Sequence, residues 1–201
     1  MMNFEKLILW FMVMLPLIMS PGPANVATAS IASLRGFRAI TAFVCGTTLI
    51  NSIAALSMGT GMGLVYVKYQ SLFRILEYLG AAYIIYLGIK ILRFKSTSHS
   101  KSGTEGRSLG FRDGVLIQAL NAKLYPSLTM MFSQFIDGDS STGREVLLLS
   151  ALLVGTALIN YFIWAWLGIM LNTTQNPIAK GIQRYGFGTM LVLIGLCLLF
   201  H

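Results

Sequence analysis

The sequence predicts an all-α integral membrane protein of six transmembrane helices, laid out as two inverted three-helix repeats with helices 1 and 4 interrupted. Three observations lead there: composition, the spacing of charges, and an echo between the two halves of the chain. Hydrophobic residues make up 55% of the 201 residues and charged ones only 11%, with a mean hydropathy of +0.71. Ordinary soluble domains carry roughly 25% charge.

Charge-free runs cover 7–34, 39–67 and 146–179, and shorter apolar runs fill 75–92, 114–136 and 185–200. Six spans follow, at roughly 7–34, 39–65, 72–94, 113–136, 146–171 and 181–200. Each can cross a bilayer core of about 30 Å at about 1.5 Å per helical residue. The first span is over-long, as a broken or tilted helix is. Its leading residues carry one acid and one base, and no small-residue cleavage site precedes a polar region, so it reads as retained rather than as a signal peptide.

The hydrophilic segment 95–110, rich in Ser and Gly, reads as a linker between a first unit, 1–94, and a second, 111–201. His99 within it and His201 at the end read as solvated histidines. The units resemble each other. Gly46-Thr-Thr-Leu-Ile-Asn51 recurs as Gly155-Thr-Ala-Leu-Ile-Asn160, and Tyr78 with Gly88 recurs as Tyr185 with Gly195, at offsets of 109 and 107. An odd number of spans per unit inverts the second copy, the arrangement common in secondary transporters.

Basic residues set the orientation. Ten (Arg35, Arg38, Lys90, Arg93, Lys95, Lys101, Arg107, Arg112, Lys180, Arg184) fall on one side and four (Lys6, Lys68, Arg74, Arg144) on the other. The richer side is cytoplasmic by the positive-inside rule, which places both termini outside a plasma or inner membrane and the 95–110 linker in the cytoplasm.

Polar residues and helix breakers inside the spans mark a candidate site. Ser20-Pro21-Gly22-Pro23 followed by Asn25 interrupts the first span. Proline removes a backbone donor and clashes with the preceding turn. In lipid, such a break survives only where protein or a water-filled cavity covers the freed groups. A helix restarting after Pro23 aims its N–H groups at an anion. The fourth span repeats the device with Gln118, Asn121, Lys123, Tyr125, Pro126 and Ser127. Lys123, the one ionisable residue well inside any span, is expected to face a cavity, since an ammonium in hydrocarbon costs about 2.5–3.5 kcal/mol. Thr28, Asn51 and Asn160 are weaker cavity-lining candidates, and for the two asparagines helix–helix bonding competes with that reading.

The same residues resemble a known family. Ser-Pro-Gly-Pro, then Gly36-Phe-Arg38, then Gly46, is similar to the first-half signature of the lysine exporter (LysE/RhtB) family of amino-acid efflux carriers. Leu120-Asn-Ala-Lys123 with Ser133-Gln-Phe135 resembles that family's Leu-Asn-Pro-Lys…Pro-Gln-Phe pattern, with both prolines of the pattern replaced here. The resemblance implies export of amino acids or related small zwitterions, driven by the proton gradient. On that reading a substrate carboxylate suits Lys123 and the helix end after Pro23. Its ammonium suits carbonyls freed near Ser20–Gly22 and around Asn121.

Other classes fit less well. The scattered basic residues form no aromatic-interleaved patch, which argues against nucleic acid. No HExxH or clustered catalytic set is present, and Gly59-Thr-Gly-Met-Gly63 lacks the Gly-Lys-Ser of a phosphate loop, so neither an enzyme nor direct ATP coupling is expected. Spans almost free of carboxylate, histidine and thiolate disfavour a metal site or a cation exporter, and a non-transport membrane protein needs no polar break in both halves. No cofactor is expected. Cys45 and Cys197 lack a CxxC partner and are expected as small buried hydrophobes. The glycines of the third and sixth spans permit close helix contact and leave a homo-oligomer open.

Overall fold

A computed structural model describes residues 4–62, 68–93, 109–136, 142–171 and 177–200. These are helical almost throughout, with no strand among the described residues. In chain order the α-helices are α1 Phe4–Met19, α2 Pro23–Arg35, α3 Thr41–Ser57, α4 Gln70–Arg93, α5 Phe111–Ala119, α6 Leu124–Phe135, α7 Thr142–Met170 and α8 Pro177–Leu199. The linker residues 95–108, with His99, and His201 lie outside the described residues.

Both expected interruptions are present. Between α1 and α2 the axis bends by 60°, because Pro21 and Pro23 cannot continue the hydrogen-bond ladder. Between α5 and α6 the chain leaves the helix at Leu120–Lys123. The break therefore precedes Pro126, which sits exposed in the first turn of α6, where a missing N–H costs nothing. Gly36, at φ 82°, ends α2 in a conformation that a side chain rarely adopts.

Three helical stretches, Phe37–Gly61, Ser71–Arg93 and Gly143–Met170, are long and apolar enough to cross a membrane, and the bent α1–α2 pair makes a fourth. Tyr185–Leu199, within α8, is a shorter apolar helix. Apolar side chains such as Met12, Ile159 and Trp166 cover the outer surface, as a lipid-facing surface requires.

Close packing relies on glycine. A Cβ on Gly46 would meet the Phe111 carbonyl, and one on Gly114 would meet the Phe43 carbonyl, so α3 and α5 touch backbone to backbone. The most extensive helix pair, α4 with α8, uses the same device at Gly88 and Gly188. Small residues let helices approach where lipid offers no hydrophobic drive between them. Cys45 and Cys197 are free and exposed rather than buried, because each falls on the outward face of its helix.

The core consists of two clusters. One gathers Val26, Phe43, Ile84, Leu87 and Leu191, and the other Trp10, Met14, Leu128, Met131 and Leu149. Both breaks lie where the two clusters meet.

Candidate functional site

Carbonyls liberated by Pro21-Gly22-Pro23 explain how the break is tolerated. The Leu17 carbonyl accepts from the ammonium of Lys123, the residue that precedes α6, and from Ser20 Oγ at 3.1 Å. The Ile18 and Ser20 carbonyls accept from Asn25 Nδ2, at 3.1 and 3.0 Å. The Met19 carbonyl accepts from Trp164 Nε1 of α7 at 3.3 Å. Every carbonyl from Leu17 to Ser20 thus has a side-chain donor, and two of those donors come from the other half of the chain. A buried backbone oxygen left without a partner costs about as much as a lost hydrogen bond.

The second break is held differently. Asn121 Oδ1 accepts from the Lys123 backbone N–H at 3.1 Å, a tight local turn that redirects the chain. Ser127 Oγ donates to the Lys123 carbonyl at 2.7 Å. Lys123 is fixed by its backbone at the start of α6, and its side chain reaches across to Leu17 and Ser20 Oγ. The C-terminal end of a helix carries partial negative charge, so the end of α1 suits an ammonium.

A polar network joins the two breaks to α3 and α7. Gln118 Nε2 donates to Asn51 Oδ1 at 2.6 Å, and Asn51 Nδ2 reaches the Tyr161 hydroxyl at 3.4 Å. Asn160 Nδ2 donates to Asn25 Oδ1 at 2.9 Å. Asn51 and Asn160, matched by the internal repeat, therefore each bond to the broken helix of the opposite half.

Between these groups lies a cavity of about 80 Å³, lined by Gly22, Asn25, Asn51, Gln118, Asn121, Lys123, Ser127 and Asn160 with Met14, Leu17, Leu153 and Tyr161. A water needs on the order of 10–15 Å³ of space, so the cavity is large enough to admit solvent or a small polar group. Lys123 is the one charged residue in the described lining, and no acid shares it. Among the described residues no group of three or more His, Cys, Asp or Glu converges on a point that could hold a metal ion.

Ser20, Pro21 and Pro23 form the break beside the cavity rather than its wall, and Ser20 touches Lys123. Thr28 bonds within its own helix, to the Ala24 carbonyl at 2.8 Å. Pro126 points away, and Tyr125 donates to the Ala119 carbonyl at 2.7 Å while lining a separate, mostly apolar cavity of about 190 Å³. The sequence reading did not single out Trp164 or Tyr161. Both are aromatic residues in a long apolar run, where a polar tip carries no signal until the opposing carbonyl or amide is known.

A chain with these long apolar helices, whose interrupted helices bring polar side chains to one cavity, is a membrane protein. The chain belongs to the LysE type translocator family, whose pattern matches residues 15–201; this is a family of membrane transporters rather than enzymes. It is 25% identical over 204 residues to the homoserine/homoserine lactone efflux protein of Salmonella typhi, covering 96% of each chain. It is 28% identical over 124 residues to the leucine efflux protein of Salmonella choleraesuis, covering 60% of this chain and 58% of that one. An uncharacterized membrane protein of Vibrio cholerae is 25% identical over 183 residues, covering 90% of this chain and 89% of that one. No solved structure matches the chain significantly.

Proposed function

We propose that this chain is a secondary carrier that exports small neutral amino acids through six spans arranged as two inverted repeats, driven by the proton gradient. One observation carries the reading: the half-buried Lys123 ammonium lines the cavity, on the carbonyl end of a broken helix, with no acid in the described lining. An ammonium so placed needs an anion that comes and goes, and a substrate carboxylate supplies one. The N-terminus of α2, with no side-chain cap, adds positive potential on the same side.

The lining also selects by chemistry. Without an acid it offers nothing to a basic side chain, and Lys123 repels one. The size of about 80 Å³ suits a small side chain, with Met14, Leu17 and Leu153 offering an apolar wall. The relatives named for homoserine and leucine efflux agree with neutral substrates. The inverted repeat is supported by Asn51 and Asn160, each bonded to the break of the other half. Orientation, with both termini outside and 95–110 in the cytoplasm, rests on the ten-to-four distribution of basic residues.

Purified protein in proteoliposomes loaded with labelled L-homoserine or L-leucine tests the reading. Efflux should exceed that of protein-free vesicles, rise with an imposed proton gradient, and be absent for L-lysine. Correctly inserted protein that moves neither neutral compound refutes it.

A further inference from the structure

We propose that Asn160 Oδ1 is the acceptor for the α-ammonium group of the substrate, and so the residue by which the site distinguishes an amino acid from the corresponding plain acid. The proposal rests on the carrier reading above and extends it to a single atom.

The carbonyls freed at the first break, the obvious partners for an ammonium, already have donors. Leu17 is taken by Lys123, Ile18 and Ser20 by Asn25, and Met19 by Trp164. Asn160 differs. Its Oδ1 is buried and has no hydrogen-bond partner, the residue is 3% exposed, and it lines the cavity. Among the described lining residues no other side chain has a fully buried polar atom left in that state.

The network itself determines which end of the amide is free. Asn25 places one amide atom within 3.1 Å of two carbonyl oxygens, Ile18 and Ser20, which only accept. That atom is therefore nitrogen, and the opposite atom of Asn25 is oxygen. Asn160 meets this oxygen at 2.9 Å, so it must present its own nitrogen there. Its oxygen is left over, buried within a residue that lines the cavity, and it can only accept. Burying such an acceptor without a donor is unfavourable.

The matched residue of the first half shows what completes the arrangement. Asn51 is equally buried, and its Oδ1 receives an N–H from Gln118 of the interrupted helix opposite, at 2.6 Å. In the second half the corresponding N–H is missing from the protein. A substrate ammonium supplies it, while the carboxylate one carbon away meets Lys123 in the same cavity.

Equilibrium binding of L-homoserine and of 4-hydroxybutanoate, which is homoserine without its amine, tests the assignment on purified full-length protein. Wild type should bind homoserine at least about tenfold more tightly, the scale of one charge-assisted hydrogen bond. Asn160→Ala should remove that preference by weakening homoserine alone. Asn160→Asp, which keeps an acceptor oxygen and adds charge while giving up the N–H donated to Asn25 Oδ1, should preserve or increase the preference even where overall affinity falls, and decides the matter if the alanine variant does not fold. If wild type binds neither compound, the same comparison is made with L-leucine and 4-methylpentanoate, and failure to bind these as well means that the carrier reading itself fails. If wild type binds both equally, if Asn160→Ala weakens both alike or neither, or if Asn160→Asp loses the preference, the carrier reading stands and the role of Asn160 is refuted.

Discussion

The Lys123 ammonium, from the second half of the chain, donates to the backbone carbonyl of Leu17 in the first. The contact satisfies two costly groups together: a half-buried charge and a carbonyl orphaned by Pro21. It also makes the two interruptions one structural unit. On the proposed carrier reading, a solute carboxylate that draws Lys123 away loosens the end of α1 and so ties binding to the break.

Lys123→Met should insert normally and lose export, with substrate binding weakened about 10–100-fold, the scale of a hydrogen bond to a charged group. Lys123→Arg should also impair export, because a planar fork does not replace a compact ammonium in a fitted site. Efflux from proteoliposomes holding equal amounts of inserted protein measures both. Wild-type rates in Lys123→Met would remove Lys123 from the site.

Trp164→Phe keeps the ring and deletes the donor to the Met19 carbonyl. The expected loss is about 0.5–1.5 kcal/mol of stability, the net worth of one hydrogen bond. Trp166→Phe, at 57% exposed on the outer surface, should cost far less. Unfolding midpoints in the same detergent compare the two, and equal midpoints would show that Met19 does not need the indole.

Gly46 and Gly155 stand at matched positions of the repeat but differ in surroundings. A Cβ on Gly46 would meet the Phe111 carbonyl and Val115 backbone, whereas one on Gly155 finds nothing within 4 Å. Gly46→Ala should therefore destabilise by about 1–3 kcal/mol through overpacking. Gly155→Ala should stabilise by about 0.5–1 kcal/mol through reduced chain entropy in a helix. Thermal unfolding of the two variants should move in opposite directions.

Membrane orientation is checked by single cysteines in a background where Cys45 and Cys197 are replaced by Ala. An impermeant thiol reagent should label a cysteine placed after His201 in intact cells. A cysteine at Ser100 should react only after the membrane is opened. The reverse pattern would overturn the assignment drawn from the basic residues.

Hydropathy and helix breaking are local properties, so the apolar helices and both interruptions could be read directly from residue order. Pro21-Gly22-Pro23 announces the first break wherever the rest of the chain lies, and a lysine inside a span announces a cavity. Pro126 misled by a few residues, because a proline is harmless in the first turn of a helix, and the neighbouring Asn121 turn is what ends α5. Cys45 and Cys197 misled because an apolar run does not say which face of a helix looks outward.

The partners of the freed groups belong to a different level. Trp164 lies 145 positions from Met19 and Lys123 lies 106 from Leu17, and no local pattern links such residues. Tertiary packing brings them together, and hydrogen bonds with strict distance and direction then choose among many polar candidates. The same packing gives two matched asparagines different fates: Asn51 is completed by Gln118, while Asn160 keeps an open oxygen. Residue order specifies which groups must find partners inside a membrane; only the folded arrangement decides which of them are left for a ligand, because satisfaction depends on geometry between distant segments.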